Sequence, residues 1–415
     1  MNKKKIIIVG GGPAGMMAAI RAGQLNQDVT LIEKNTSLGR KLLLTGKGRC
    51  NLTNDCDLDA FMSRFSKKSG QFLRDAFKVF FNKDLMRFFE KRGLFLKVER
   101  QERVFPVTDK AESVLDVLQK ELEKTKARVM FKKQVKDIVV KGGRVQGVIL
   151  SDGDEVLCDR LILATGGISY PHTGSTGEGI TISEKCGHRI VSLRPGLVPF
   201  ETKQKFPKQL SGVTLKNIRI RFCSEKKQIV SDVGELLFTR FGVSGPLVIS
   251  LSGQVVDWLE KGKKVGLEID LKPGLSEGQL EKRILKEFKA APKKNIKNLL
   301  KSFLPLRLVD IFLKLVKIDE NKRGSQVTQQ ERRKLASLLK GLPLEITRPR
   351  GIEFAMVTRG GISLKDVDPK TMASRVVKNL FVVGEMVDVD GDTGGFNLQA
   401  AFSTGYLAGQ MTARL

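Results

Sequence analysis

The stretch KKIIIVGGGPAGMMAAIRAGQLNQDVTLIEK, residues 4–34, decides the fold. Ile6 to Val9 form an unbroken β-branched run, the pattern of a parallel strand buried on both faces. Gly10, Gly12 and Gly15 then space a G-x-G-x-x-G turn, with Pro13 and Ala14 opening a helix. The first glycine permits the tight turn, the second lets the backbone approach a pyrophosphate, and the third brings helix and strand close. The helix N-terminus offers amide donors and partial positive charge to phosphates. A second strand, Val29 to Ile32, ends at Glu33, whose carboxylate can accept both hydroxyls of a ribose. That acid argues against a 2′-phosphate, so the spacing predicts FAD or NAD rather than NADP. Lys34 follows it in the same candidate set.

Two later segments decide for FAD. DRLILATGG, residues 159–167, reads as a buried strand running into a small-residue turn at Ala164, Thr165 and Gly166. NLFVVGEMVDVDGDTGGFNLQAAFSTGYLAGQ, residues 379–410, reads as another strand, an acidic glycine-rich loop and a helix. Both ends of the chain therefore contribute to one nucleotide site, the layout of glutathione-reductase-type flavoproteins. Gly384, Glu385, Asp392 and Gly395 are its candidate ribityl-side residues, and Asn397, Leu398 and Gln399 open a helix able to aim its amides at a flavin pyrimidine. Val135 joins the candidate contacts.

The 415 residues are too many for one compact core, and Lys+Arg exceed Asp+Glu by 73 to 45, a net charge of +28. A charge this high costs self-repulsion and attracts polyanions, which a small-molecule enzyme does not need. Lineage bias toward lysine is the plainer alternative. Five cysteines without a CxxC pair or zinc spacing fit a reduced, cytoplasmic setting, and two histidines leave little material for a metal site, so no metal is expected. The lysines and apolar run at the start could pass for a signal peptide, but the glycine spacing explains them better. No stretch reaches the length of a membrane span, so no membrane partner is expected.

The expected organisation is an α/β fold, a glutathione-reductase-type FAD-binding Rossmann domain with an inserted β-barrel domain and a helical domain. Residues 1–190 form the first part of the FAD-binding domain. Residues 191–275 alternate as short strands, as in TLKNIRIRF, and are expected to be barrel-like. Residues 276–340 shift to helical periodicity and carry 17 Lys/Arg against 7 Asp/Glu. Residues 341–352 return to the barrel, and 353–415 complete the FAD-binding domain. A second basic stretch, 61–105, holds 12 Lys/Arg against 5 acids, with Phe72, Phe77, Phe80, Phe81, Phe88 and Phe89 on a predicted amphipathic helix. Two basic regions suit an extended RNA footprint, although no RRM, KH or zinc-knuckle pattern is present.

The motifs GRKLLLTGKGRCNLTN, ATGGISYPHTGSTGEG, LFTRFGVSGP and VVGEMVDVDGDTGGFNLQAAFSTG occur in this order and span nearly the whole chain. In that combination the chain resembles the BaiN/RdsA-type flavoprotein family of NAD(P)/FAD-dependent oxidoreductases. The resemblance implies that the loop after the second strand follows the FAD. Arg40 and Lys41 would serve the adenosine and pyrophosphate end, and Thr45, Gly46, Gly48, Arg49, Cys50 and Asn51 would lie by the flavin ring. A C-x5-C spacing, Cys50 to Cys56, leaves open a dithiol relay like that of disulfide reductases, whose pair is spaced C-x4-C. No second G-x-G-x-x-G lies between residues 100 and 350, so NAD(P)H is expected only as a transient reductant at the open flavin face.

The resemblance also implies reduction of a carbon–carbon double bond conjugated to a carbonyl. Family members act on bile-acid enones or on uridine in large-subunit rRNA. For uridine, hydride would go to C6 and a proton to C5, with Cys50, Tyr170 and His172 as candidate catalytic acids. The net charge favours 23S rRNA or a large-subunit precursor as partner. A small-molecule enone reductase or amine oxidase is the second reading, and a non-catalytic flavin-dependent RNA-binding protein the third.

Overall fold

The computed structural model describes residues 3–414. The chain folds into two compact units, one reaching Gly196 and resuming at Ala355, the other Leu197–Phe354.

The first unit is built on a five-stranded parallel sheet, ordered Leu380–Val382, Arg160–Leu163, Lys5–Val9, Asp28–Glu33, Arg128–Phe131. Ile6, Ile7 and Ile8 in its central strand are buried. Each apolar side chain so placed contributes about 1.5–3 kcal/mol. The helix Pro13–Gln24 follows the first strand and packs against the C-terminal helix Phe396–Arg414. Two glycines make that approach possible. A Cβ on Gly405 would lie 2.2 Å from the Ala14 carbonyl oxygen, and one on Gly409 would lie 2.4 Å from that of Ala18. The first and last helices of the fold therefore pack backbone to backbone.

The basic stretch 61–105 forms not one helix but two longer ones, Lys67–Val79 and Asn82–Glu90, after the short Leu58–Met62. The chain turns at Phe80 and Phe81, where the Phe81 N–H donates to Asp84 Oδ2 at 3.0 Å and starts the next helix. Phe72, Phe77, Phe80, Phe88 and Phe89 are buried, and Phe81 is half-buried. Phe61 packs edge-on against Phe396, ring centroids 4.7 Å apart. These rings are core. A small antiparallel sheet follows, ordered Thr53–Asn54, Arg103–Pro106, Leu96–Val98.

The division expected at 190/191 falls inside a strand. Ile190–Gly196 pairs antiparallel with Val357–Ile362, so the chain leaves the first unit at Gly196 and re-enters it at Ala355.

In the second unit, strand pairing runs Thr214–Ser224, Gly234–Phe238, Gly242–Ser244, Phe200–Thr202, Leu342–Pro349, Val265–Asp270 and back to Thr214–Ser224, a closed ring. A helix, Pro246–Glu260, interrupts the strands expected from 191 to 275. Its β-branched residues read as strand in isolation, yet Val248, Val255, Val256 and Trp258 bury one helical face. Helices Glu277–Ala290, Leu306–Val316 and Gln329–Lys340 follow, two of them opened by capping boxes at Ser276/Gln279 and Thr328/Glu331. Among the described residues no helix is long and apolar enough to cross a membrane, and no cluster of His, Cys, Asp and Glu could hold a metal ion.

Candidate functional site

The turn after the first strand sets the site. Gly10 has φ +105°, and a Cβ there would meet the Ala164 carbonyl oxygen at 2.5 Å. A Cβ on Gly15 would lie 1.9 Å from the Gly10 carbonyl oxygen, so only glycine lets helix and turn touch. Gly12 differs, because a Cβ there meets nothing within 4 Å. It faces a cavity. The helix Pro13–Gln24 begins at this point with no side-chain cap, leaving its first amides to a ligand.

Glu33 is buried at the end of the second strand. It accepts the Gly11 N–H on Oε2 at 2.8 Å, and on Oε1 the Asn35 N–H at 2.8 Å and Asn35 Nδ2 at 2.7 Å. The carboxylate thus braces the glycine turn while lining the cavity. Arg40 Nη1 donates to Asn35 Oδ1 at 2.6 Å, which places it beside Glu33. Lys34 donates to Thr176 Oγ1 at 2.7 Å and pairs with Glu178 at 2.9 Å, closing that end from the opposite side.

Lys41 goes elsewhere. Its ammonium donates to Ser169 Oγ and to Glu385 Oε2, each at 2.6 Å. Glu385 Oε1 in turn accepts the Thr358 N–H at 2.7 Å and Ser169 Oγ at 3.1 Å. Four separated segments meet at this carboxylate on the cavity wall, so Lys41 belongs with the Glu385 end and not with Arg40. Asn397 holds the neighbouring loop, accepting the Gly391 N–H and donating to the Gly391 carbonyl oxygen, both at 2.8 Å.

The cavity therefore gathers Gly10, Gly12, Pro13, Ala14, Glu33, Lys34, Arg40, Lys41, Thr45, Val135, Ala164, Thr165, Gly166, Gly384, Glu385, Asn397 and Leu398. The remaining candidates lie off its wall. Gly15 supports the turn from behind. Gly395 and Gln399 support the loop: a Cβ on Gly395 would lie 2.4 Å from the Thr53 backbone, and Gln399 Oε1 accepts Thr53 Oγ1 at 2.7 Å. Asn51 spans Thr53 O at 3.2 Å and Gly395 N at 3.1 Å, bonding both when its amide nitrogen points to the carbonyl. The half-buried Asp392 has its carboxyl pushed up by burial.

The largest correction concerns the stretch after Thr45. Gly46 and Gly48, at φ +58° and +83°, shape a turn whose exposed residues leave the cavity. Arg49 is held by Glu99 and Asp109, which raise its pKa, and it stacks 4.2 Å from the Phe105 ring centroid. Cys50 is fully buried, and burial pushes its thiol up to about 12. A thiol so placed stays neutral and has no path to a substrate. Cys56 is likewise pushed up to about 11. Tyr170 sits in a left-handed turn at φ 53° with its hydroxyl pushed up by burial, and its ring lies 5.8 Å from that of the exposed His172. Neither lines the cavity.

Sequence reasoning missed the loop Thr173–Gly179. It has the wrong spacing for a second nucleotide motif, yet it lines the same cavity as Gly10–Ala14. The signal was its glycines, Gly174 at φ +105° and Gly177 at φ +82°, which let the backbone run flat against a ligand.

The donor set fits a dinucleotide. A carboxylate stands at one end, uncapped helix amides and an open glycine in the middle, and a Lys–Glu–Ser cluster at the other end.

This is the cofactor site of a Rossmann-type flavoprotein. The HI0933-like protein Rossmann domain model matches residues 4–411, and the chain belongs to that family of FAD-dependent oxidoreductases. It is 32% identical over 411 residues to the 3-dehydro-bile acid delta(4,6)-reductase of Clostridium scindens, covering 99% of each chain. It is 30% identical over 413 residues to the ribosomal RNA dihydrouridine synthase of Escherichia coli (strain K12), covering 99% of this chain and 98% of that one. The fold is also that of the 3-ketosteroid delta1-dehydrogenase of Sterolibacterium denitrificans, solved with 1,4-androstadiene-3,17-dione, at 12% identity and a TM-score of 0.55 over the whole of both chains.

Proposed function

We propose that this protein reduces a uridine of large-subunit ribosomal RNA to dihydrouridine in the cytoplasm, with FAD as its cofactor and NAD(P)H as transient reductant. The observation that carries the reading is the net charge of +28, with 17 Lys/Arg against 7 Asp/Glu concentrated in the helical part of the inserted unit. A partner made of phosphates accounts for that surface, whereas a steroid does not. The inserted barrel with its basic helices serves as the RNA-holding domain.

When bound and reduced by NAD(P)H, FAD would supply a hydride for C6 of the uracil ring. The chain's own residues do the rest. Glu33, Arg40 and the uncapped helix would hold the cofactor. The Lys41–Glu385–Ser169 cluster fixes the other end of the site. Tyr170, next to Ser169 in the chain and half-buried rather than enclosed, is the proposed donor of the proton to C5, acting from outside the cofactor cavity; Cys50, fully enclosed, is set aside. The uridine has to leave its stack first, at a cost of about a few kcal/mol.

The second reading is a small-molecule enone reductase, favoured by the 32% identity to the bile-acid enzyme. One assay separates the two. FAD-loaded protein with NADPH or NADH is given 23S rRNA lacking dihydrouridine or a 3-keto-Δ4 steroid. We expect dihydrouridine by mass spectrometry, and raising salt from about 50 to 200 mM should cut kcat/KM for RNA by at least about tenfold. Steroid turnover that ignores salt, with RNA untouched, would establish the second reading instead.

A further inference from the structure

We propose that Phe95 and Val107 form a stacking platform for an unpaired base of the RNA substrate; this deepens the rRNA reading and rests on it. Phe95 is 70% exposed and Val107 54% exposed, Phe95 being the most exposed of the large apolar side chains among the described residues. The two face each other. The Val107 N–H donates to the Phe95 carbonyl oxygen at 2.9 Å, continuing the register that pairs Leu96 with Pro106. Opposed residues of an antiparallel pair share a face, so ring and isopropyl group emerge side by side.

The other phenylalanines of this region bury themselves in the core, which makes an outward-facing ring a poor packing choice. It stands on the small antiparallel sheet. The strand Arg103–Pro106 pairs on its other side with Thr53–Asn54, and the Leu52 N–H donates to Val104 O at 2.9 Å.

Charge selects the occupant. Of the acids nearest this pair of strands, Glu99 and Asp109 are taken by Arg49 and Lys97, while Glu102 sits in the connecting turn at the far end of the strands. Lys91 and Lys110, four and three residues along the chain from Phe95 and Val107, are exposed, and neither has an ion pair among the described residues. An apolar ring bordered by free cations suits a base with a phosphate on each side. It does not suit an acid-free apolar peptide, which would leave the cations unused.

The test uses FAD-loaded protein and a fluorescein-labelled single-stranded oligouridylate, read by anisotropy, alongside dihydrouridine formation on 23S rRNA. Phe95→Ala should weaken oligonucleotide binding about 5- to 100-fold, Phe95→Trp should restore it, and the flavin spectrum should not change. Equal binding by wild type and Phe95→Ala, with rRNA still reduced, would overturn the platform and leave the rRNA reading standing. A wild type that neither binds RNA nor reduces it would overturn both. Loss of self-association in Phe95→Ala, with wild type indifferent to RNA, would assign the patch to a second copy of the chain and overturn the proposal.

Discussion

Gly12→Glu should give a folded protein that no longer retains FAD. Gly12 has φ −79°, which any residue adopts, and a Cβ there meets nothing within 4 Å. The substitution therefore strains neither strand nor helix. It places a carboxylate in front of the uncapped helix amides, where a pyrophosphate would accept their hydrogen bonds. We expect FAD affinity to fall at least about 100-fold, roughly 2.7 kcal/mol, with little change in the melting temperature of the apoprotein. The contrast is Gly15→Ala. Its Cβ would sit 1.9 Å from the Gly10 carbonyl oxygen, backbone that cannot move away alone, so this smaller change should damage the fold itself. Absorbance of the purified proteins and fluorescence titration of FAD into apoprotein separate the two effects. A yellow, tightly loaded Gly12→Glu protein would show that the cofactor does not cross this turn.

The second large effect is expected at Glu385. Replacing it with Ala strips acceptors from Lys41 Nζ, Ser169 Oγ and the Thr358 N–H in one step. The Lys41 and Glu385 side chains are about one-fifth exposed, so the loss is tempered by solvent. FAD affinity should fall about 10- to 100-fold, or 1.4–2.7 kcal/mol. Lys41→Met should cost a similar amount. Because each change disables the same ion pair, the double variant should lose clearly less than the sum of the two. Strict additivity in a cycle of FAD dissociation constants would mean that the pair does not act as a unit.

These two sites differ in how they could be read from the chain. The glycine turn was legible because its parts are local: strand, G-x-G-x-x-G, helix and Glu33 lie within residues 4–34, and each residue type has a steric or charge reason. The late strand and the helix after it could be placed for the same reason. The Lys41–Glu385 pair spans 344 residues, and no spacing rule reports a contact made by two loops at the ends of different strands. Gly405 and Gly409 were visible as small residues four apart, yet only the packed helices show what each one touches. Arg49 and Cys50 were placed by the flavin ring because the family resemblance carries the whole loop after the second strand along the cofactor. The left-handed residues Gly46 to Gly48 turn the chain away, and Glu99 and Asp109, about fifty and sixty residues on, capture the arginine. The helix Pro246–Glu260 was hidden by β-branched residues whose helical state is imposed by packing rather than propensity.

The most direct measurement is the dihydrouridine content of 23S rRNA from cells with and without this gene, by mass spectrometry of nuclease digests. The account predicts that one dihydrouridine disappears on deletion, returns with the wild-type gene, and does not return with Gly12→Glu. Unchanged dihydrouridine after deletion, in cells whose 23S rRNA carries it, would contradict the account and turn attention to small enones as the substrate of this flavoprotein.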